Sequence, residues 1–314
     1  MSDQEHEKVN IREHVGVIYQ SLSGFYYVWA DGREFTSRAK GLLRHQRLKP
    51  IVGDRVIIEE NIDDPDSDSR LTHILPRNNS LVRPPVANVD YAILVMSLLE
   101  PDFNYSLLDQ YLVNLEWQGI KSILLLTKYD LLMAKHGQED AEAFVSQIKS
   151  IYQKIGYKVW LKLDQATFKV DFVENLEKGI YVVMGQSGAG KSTFLNQLLP
   201  DVNISTNEIS QSLNRGKHTT RKVTLYPIKQ AFLADTPGFS AMDLPLMKAE
   251  ELQTTYPEIN ELANKCKFRS CIHDREPHCY VKEAVNLGLI SDKRYQSYLM
   301  LLKRLKDNQI NYYN

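Results

Sequence analysis

The sequence contains, between residues 185 and 192, the run Gly185-Gln186-Ser187-Gly188-Ala189-Gly190-Lys191-Ser192. This run fits the pattern G-x-x-x-x-G-K-S of a phosphate-binding loop, which requires a buried strand before it and a helix after it. An apolar run at residues 180–184 supplies the predicted strand, and residues 192–199 supply the predicted helix. The glycines permit tight turns, so that successive backbone N–H groups point into one hollow that suits phosphate.

The loop residues have distinct expected roles in holding a nucleoside triphosphate. Lys191 is expected to reach the β- and γ-phosphates, and the Ser192 hydroxyl is expected to bind Mg²⁺. A glycine-rich loop without a ligand is the alternative, but the strand and helix on either side argue against it. The predicted nucleotide-binding residues of this segment are Gly185, Gln186, Ser187, Gly188, Ala189, Gly190, Lys191, Ser192 and Thr193.

Length and composition describe an ordinary globular protein. The 314 residues are enough for two or three domains with their own cores, and 43% of them are hydrophobic. A net charge of −1 gives no general attraction to nucleic acid, so any such binding requires a local basic patch. No apolar run approaches the ~20 residues that a membrane span needs, and the polar N-terminus lacks the core of a signal peptide. We expect a cytoplasmic protein, and a monomer, without a membrane partner.

After a loose tail at residues 1–12, residues 13–84 are predicted to form a small β-barrel of the OB type. The segment holds several short β-rich runs, and Asp31-Gly32 is a strong hairpin signal between two of them. A basic loop beside aromatic strands suits single-stranded RNA, through phosphate contacts and base stacking, while a solvated surface is the alternative. The basic residues between the predicted strands are Arg33, Arg38, Lys40, Arg44, His45, Arg47 and Lys49.

Residues 85–245 alternate predicted strands with predicted helices, which indicates a mostly parallel sheet covered by helices on both faces. One strand in this domain ends at Asp235-Thr236-Pro237-Gly238, which is a D-x-x-G motif. Asp235 is expected to hold Mg²⁺, and the Gly238 N–H is expected to sense the γ-phosphate. The motif on its own also fits an ordinary turn.

A second strand end in this domain, Thr127-Lys128-Tyr129-Asp130, resembles the guanine-reading motif, which is usually Asn-Lys-x-Asp. The Asp130 carboxylate can accept hydrogen bonds from guanine N1–H and N2–H₂, and adenine offers neither donor at that place. The stem of Lys128 is expected to lie along the ring face. Thr127 stands where Asn is usual, so one supporting contact is expected to be weaker. A charged turn at the strand end is the alternative.

Residues 246–314 are predicted to be helical, with residues 249–264 as one helix, and an irregular insert contains all three cysteines of the chain. The insert has the spacing Cys266-x4-Cys271-x-His273-x5-Cys279. Three thiolates and one imidazole suit a tetrahedral Zn²⁺ whose four positions are all filled by protein, which is typical of a structural site. His278 is a competing ligand, and we expect His273 to be preferred.

The order of the motifs is unusual, because the base motif precedes the phosphate loop instead of following it. This order is that of a circularly permuted GTPase. Together with the barrel and the cysteine cluster, it resembles the RsgA (YjeQ) family of ribosomal GTPases over residues 13–305. The resemblance implies a multidomain enzyme that hydrolyses GTP to GDP and binds the small (30S) ribosomal subunit and its 16S rRNA. It also implies action late in subunit maturation, with turnover stimulated by the subunit.

The resemblance further implies roles within the segment Gly216-Lys217-His218-Thr219-Thr220, which is similar to the family's first switch. His218 is implied to orient the attacking water, because Phe239 stands where many GTPases have a water-orienting Gln. Contact of His218 with phosphate or ribosomal RNA is the alternative. Thr220, or alternatively Thr219, is implied to complete the Mg²⁺ shell. The expected Mg²⁺-binding residues are Ser192, Thr220 and Asp235.

One segment departs from the family pattern, and two residues leave alternative functions open. The family's second base-contact turn is expected near residues 161–165, where this chain has Leu-Lys-Leu-Asp-Gln, so we assign no base contact there. An RNA-binding assembly factor with a purely structural nucleotide is favoured by Phe239. An ATPase is favoured only by Thr127.

Overall fold

The computed structural model describes residues 10–41, 49–82, 84–163, 166–199, 223–235 and 243–312, without the side chains of residues 166, 167, 235 and 308–312. The chain divides into two compact units that alternate along the sequence. The first unit comprises Met1–Asp90, Leu176–Val182 and Glu208–Pro237, and the second comprises Tyr91–Asn175, Val183–Asn207 and Gly238–Asn314. The domain boundaries expected from the sequence stay a prediction.

The described strands are β1 (Ile11–Leu22), β2 (Phe25–Ala30), β3 (Arg33–Ala39), β4 (Arg55–Asn61), β5 (Ser69–Ile74), β6 (Ser80–Val82), β7 (Pro85–Ala87), β8 (Tyr91–Ser97), β9 (Lys121–Thr127), β10 (Lys158–Leu161), β11 (Ile180–Gly185), β12 (Thr224–Ile228) and β13 (Ala231–Asp235). The described helices are α1 (Tyr105–Trp117), α2 (Tyr129–His136), α3 (Gln138–Lys154), α4 (Ala166–Glu174), α5 (Lys191–Leu198), α6 (Pro257–Ala263), α7 (Tyr280–Asn286) and α8 (Asp292–Tyr312). A 3₁₀ helix covers Ala249–Thr255. In these ranges no helix combines the length with the apolar character needed to cross a bilayer.

The first five strands form a closed barrel within the first unit. Antiparallel pairs join β1 to β2, β2 to β3, β4 to β5 and β1 to β4, and a parallel pair joins β3 to β5. The order β1-β2-β3-β5-β4-β1 returns to its first strand, which is the arrangement of an OB barrel. The predicted hairpin is confirmed, because Asp31 and Gly32 connect β2 to β3 with φ values of 50° and 76°. Two positive φ values are what a type I′ hairpin turn requires.

The barrel encloses an apolar core, and a smaller sheet belongs to the same unit. The fully buried side chains of the barrel core are Ile18, Val28, Val56, Ile58 and Leu71. In the smaller sheet, β12 pairs antiparallel with β13, and β13 pairs in parallel with the first residues of β11. β1 also pairs antiparallel with β12, where Gln20 lies opposite Thr224. The long first strand therefore takes part in both the barrel and this sheet.

The second unit contains three parallel strands in the order β10-β9-β8. β8 is buried at every position, as expected of a parallel strand that is covered on both faces. α3 follows the helical period, since its buried side chains fall on one face. These are Ala141, Val145, Ile148 and Tyr152. The predicted α/β character of the central region is confirmed.

The C-terminal region departs from its predicted helix at residues 249–264. The structure has the 3₁₀ helix and α6 in its place, separated by Tyr256 in an extended conformation with φ −116° and ψ 96°. The cause is Pro257, because a residue before proline is driven out of the helical region. Pro257 itself starts α6, where its missing N–H is not needed. The break leaves Tyr256 fully buried, with its ring edge-on to Tyr298 at 5.2 Å.

A buried ion cluster holds the C-terminal helices on α1 within the second unit. Arg294 of α8, which is 1% exposed, donates to Asp109 of α1 at 2.6 Å. It also donates to both carboxylate oxygens of Glu258 in α6, at 2.7 and 3.2 Å. The Tyr152 hydroxyl adds a bond to Asp109 at 2.8 Å, and the Tyr256 ring lies 4.3 Å from the guanidinium. One cation therefore pairs with two buried carboxylates, and buried charges require such paired and hydrogen-bonded partners.

Arg294→Leu should strongly destabilise the protein, because it leaves Asp109 and Glu258 buried without a counter-ion. Loss of one partner from a buried ion pair typically costs about 3–5 kcal/mol, so the free energy of unfolding in urea should fall by about that amount. Arg304→Leu is the matched control, since Arg304 is exposed on the same helix. Equal urea midpoints for the wild-type protein and Arg294→Leu would contradict the role of the cluster.

Candidate functional site

The phosphate loop lies between β11 and α5, as its sequence pattern requires. β11 is buried throughout and ends at Gly185, whose φ is 137°. A Cβ atom at Gly185 would lie 2.1 Å from the carbonyl oxygen of Val95 in β8, so glycine is required there. Gly188 and Gly190 have φ values of 77° and 93°, a region that favours glycine. The backbone can therefore turn tightly in front of the first turn of α5.

Lys191, the first residue of α5, folds back over the loop. Its Nζ donates to the carbonyl oxygens of Gly185 at 2.7 Å and Gln186 at 2.8 Å. Burial lowers the pKa of Lys191 to about 8, because the charged form loses hydration. The first turn of α5 contains no acidic residue, so its partial positive charge is not neutralised locally. A positive centre thus lies where the phosphates are expected.

The base motif begins where β9 ends and is joined to the phosphate loop. The Thr127 hydroxyl donates to the carbonyl oxygen of Ala189 at 2.7 Å. Thr127, which stands where Asn is usual, therefore does support the phosphate loop. Lys128 has a φ of 59° at the start of α2, and Asp130 is exposed in the first turn of that helix. The carboxylate is free to meet a base from solvent.

The loop after β8 borders both motifs, and the sequence analysis did not identify it. The Lys128 ammonium donates to the carbonyl oxygen of Glu100. The next residue, Pro101, has its Cδ 3.7 Å from the place that a Cβ of Gly188 would occupy. The signal that could have found this loop is its position, because ligands of α/β proteins bind at the carboxyl ends of parallel strands.

Part of the predicted site has no structural description. His218, Thr219, Thr220 and Gly238 lie outside the described residues. Asp235 is the last residue of β13, and its side chain is likewise not described. The roles expected for these residues stay predictions.

The four predicted zinc ligands lie together in the C-terminal region. Cys266, Cys271, His273 and Cys279 place one ligand atom each within 4.8 Å of all the others. The Cys266 and Cys279 Sγ atoms are 3.9 Å apart, and the His273 Nδ1 lies 3.6 and 3.5 Å from them. Thiolates bound to one tetrahedral zinc ion at ~2.3 Å are separated by about this distance. The competing residue, His278, does not belong to this group.

The surroundings of His273 favour metal binding through Nδ1. The imidazole is fully buried, and its Nε2 lies 2.8 Å from the Gln253 side-chain oxygen. An Nε2–H that donates to this oxygen leaves the Nδ1 lone pair for a metal, as is usual for metal-binding histidines. Burial raises the pKa of Cys271 to about 12. Since thiolates are the ligands, a bound cation is what would deprotonate this buried group. The donor set and its packing fit Zn²⁺.

Comparison with known proteins identifies the family. The sequence profile of the RsgA GTPase family matches residues 74–245, and that of the RsgA N-terminal domain matches residues 15–65. The chain belongs to the RsgA GTPase family. It is therefore a GTP-hydrolysing enzyme, so neither the ATPase alternative nor the purely structural nucleotide is supported.

Individual RsgA relatives match along almost the whole chain. A curated "Small ribosomal subunit biogenesis GTPase RsgA" from Enterococcus faecalis is 47% identical over 94% of this chain and 96% of that protein. A protein of the same name from Streptococcus mutans is 45% identical over 95% of this chain and 97% of that protein.

Solved structures of two similar proteins share the fold. The crystal structure of YloQ, described as a circularly permuted GTPase, has a TM-score of 0.79 at 33% identity and covers 98% of this chain and 99% of that one. YjeQ from Thermotoga maritima has a TM-score of 0.80 at 28% identity and covers 94% of this chain and 99% of that one. The permuted motif order predicted for this RsgA-family chain is thus confirmed.

Nucleotide affinity should depend on pH through Lys191. With a pKa of about 8, Lys191 is mostly charged at pH 7 and mostly neutral at pH 9 in the nucleotide-free protein. Bound phosphates favour the charged form, so binding at pH 9 must take up a proton. GDP affinity should fall roughly tenfold per pH unit above pH 8.

Calorimetry in two buffers of different protonation enthalpy would measure the proton uptake directly. Lys191→Arg is the control, because its guanidinium stays charged and its affinity should change little between pH 7 and 9. Wild-type affinity that also stays constant over this range would show that Lys191 does not titrate.

The purified protein should carry one zinc ion per chain. Cys271→Ala should lose the metal and lower the melting temperature, since metal binding and folding of such a site are coupled. His278→Ala should keep both the metal and the melting temperature. Elemental analysis together with thermal denaturation tests this, and zinc retained by Cys271→Ala at full stoichiometry would refute the ligand set.

Proposed function

We propose that this RsgA-family GTPase binds the small (30S) ribosomal subunit, acts late in its maturation, and hydrolyses GTP faster when the subunit is bound. The observation that carries the proposal is the match at 47% identity, over 94% of the chain, to a relative named for small ribosomal subunit biogenesis. The match includes the barrel, the GTPase region and the cysteine cluster. The proposal includes 16S rRNA as a direct partner and a cytoplasmic monomer as the active form.

The barrel offers stacked pairs of cations and aromatic rings that suit RNA. The Arg38 guanidinium lies 4.3 Å from the centre of the Phe25 ring, and Arg33 lies 4.3 Å from that of Phe35. Such planes can stack on bases and contact phosphates. Arg38 is paired with Asp68 at 2.9 Å. RNA phosphate would have to replace this acid, so we expect barrel binding to weaken steeply with salt.

A second basic and aromatic surface borders the metal centre. Lys265 lies 5.2 Å from the centre of the Tyr280 ring, and Lys267 lies 5.7 Å from that of Phe268, which is 41% exposed. Lys282 lines the same open cavity of about 470 Å³ as Lys265, Lys267 and Tyr280. Three ammonium groups beside one exposed and one half-buried ring could give RNA both phosphate and base contacts. A bound metal ion would stabilise the backbone that carries this surface.

The proposed reaction is attack of water on the γ-phosphorus, with cleavage of the bond to the oxygen that bridges to the β-phosphate. GDP departs with the bond electrons, and the proton that the attacking water loses passes to the inorganic phosphate product or to solvent. The loop amides and Lys191 would hold the phosphates, and Asp130 would select guanine. Ser192, Thr220 and Asp235 would hold Mg²⁺, which neutralises charge between the β- and γ-phosphates when it is bound. His218 would orient the water, because Phe239 cannot.

His218→Ala should lower the plateau of subunit-stimulated GTP turnover and leave GDP affinity nearly unchanged. Loss of one positioned acid–base group typically costs ~10²–10⁴-fold in rate, and a group that acts in the transition state affects kcat more than binding. The measurement is turnover against the concentration of added small subunits. Large subunits provide the control and should give no stimulation.

The outcomes of this experiment separate the alternatives. If His218→Ala reaches the wild-type plateau at higher subunit concentration, His218 contacts ribosomal RNA and does not orient water. If small subunits stimulate the wild-type enzyme no more than large subunits do, the proposed partner is wrong.

A further inference from the structure

We propose that Cys266 and Cys279 form a site of reversible oxidation, at which hydrogen peroxide joins the two thiolates in a disulfide bond and so expels Zn²⁺ from the metal centre. The four ligands were assigned a structural role above, and this proposal adds a response to a two-electron oxidant. It rests on the fit of the ligand cluster to zinc and does not depend on the proposed ribosomal partner.

The three thiols differ in their access to small molecules from solvent. Cys266 is partly exposed. Cys279 is 5% exposed, but it lines the open cavity of about 470 Å³ that borders the metal centre. Cys271, by contrast, is 3% exposed and is not among the described residues that line this cavity. Because exposure selects the thiols that are oxidised, a small oxidant should reach Cys266 and Cys279 first.

The inner part of the ligand cluster is also held more firmly than the outer part. The carbonyl oxygen of His273 accepts a hydrogen bond from the Tyr295 hydroxyl of α8 at 2.7 Å, and the His273 Nε2 lies 2.8 Å from the Gln253 side-chain oxygen. Cys266 instead follows the end of α6, and Cys279 directly precedes α7. A rearrangement of these two outer side chains therefore need not move α8.

The two outer sulfurs are close enough to react in sequence. Their Sγ atoms are 3.9 Å apart, so they must approach by about 2 Å to form a disulfide bond of ~2.05 Å. The Cys266 thiolate attacks peroxide, the O–O bond breaks, and a sulfenic acid and hydroxide form. The Cys279 thiolate then attacks the Cys266 sulfur, the S–S bond forms, and the S–O bond breaks with loss of a second hydroxide. Both hydroxides take protons from solvent, so two thiolates are oxidised while one peroxide is reduced to two waters.

The disulfide leaves an incomplete set of metal ligands. Cys271 and His273 remain, but a structural zinc site requires four protein donors, so the affinity for Zn²⁺ falls and the metal is released. Metal binding and folding are coupled in such sites, and the stability of the C-terminal region falls with it. A thiol reductant reverses the disulfide by exchange, after which zinc can bind again.

Peptide mapping identifies the bridge in the full-length protein. Trypsin cuts after lysine and arginine, so it places the three cysteines on separate peptides, at residues 266–267, 270–275 and 276–282. The zinc-loaded protein is treated with hydrogen peroxide, its free thiols are blocked by alkylation, and its peptides are analysed by mass spectrometry without reduction. A zinc-sensitive dye records the released metal in the same samples.

We expect a disulfide between peptides 266–267 and 276–282, with one zinc ion released for each disulfide formed. The melting temperature should fall in parallel, and a thiol reductant with added Zn²⁺ should restore it. Zinc that stays bound while the same peroxide oxidises free cysteine would overturn the proposal. A bridge that contains Cys271 would overturn the assignment of the reactive pair.

Two histidine variants test the same assignment independently. Cys266→His exchanges the accessible thiol for another zinc ligand, so it should keep its zinc in peroxide and form no bridge. Cys271→His is the matched control, because it has the same ligand composition but retains the reactive pair, and it should release zinc as the wild-type protein does. Equal zinc release from the two variants, or retention by both, would contradict the proposal. If either variant fails to bind zinc, the peptide map of the wild-type protein decides alone.

Discussion

The second unit depends on one buried cation, Arg294, shared between two carboxylates on different helices. Its guanidinium ties α8 to Asp109 in α1 and to Glu258 in α6. Without it, the helices around the metal centre would carry buried negative charge against one another. Burial of charge is tolerated only where the partners are held in good geometry. The aromatic rings around the guanidinium pack against Arg294, so their positions depend on the ion pairs that hold Arg294 in place.

Local contacts, together with the chain segment that precedes α1, link the same cluster to the nucleotide motifs. α1 carries Asp109 and follows the loop that contains Glu100. Glu100 accepts the Lys128 ammonium, and the neighbouring Thr127 bonds to Ala189 in the phosphate loop. At the other end, Tyr295 of α8 donates to the carbonyl oxygen of His273 in the metal cluster. The metal cluster and the phosphate loop thus belong to the same compact unit.

The sequence allowed correct predictions for features that depend on residues adjacent in the chain. The phosphate loop, the hairpin at Asp31-Gly32 and the spacing of the cysteines each depend on a few adjacent residues, so their patterns could be read directly. The break at Tyr256 was also readable, because Pro257 disfavours one continuous helix over residues 249–264.

Other features could not be read from the sequence, because they join residues that are far apart in it. Asp109, Glu258 and Arg294 lie on three helices, and each one alone has the pattern of an ordinary charged surface residue.

The pairing of β1 with β12 has a consequence for the time at which this chain can fold. A chain leaves the ribosome from its N-terminus, so β1 to β5 emerge early and can close as a barrel before most of the protein exists. Gln20 then remains without its strand partner Thr224, which is synthesised about two hundred residues later. During synthesis the end of β1 is an unpaired edge, and such edges recruit strands from other nascent chains. The protein is most exposed to misassembly while it is still being made.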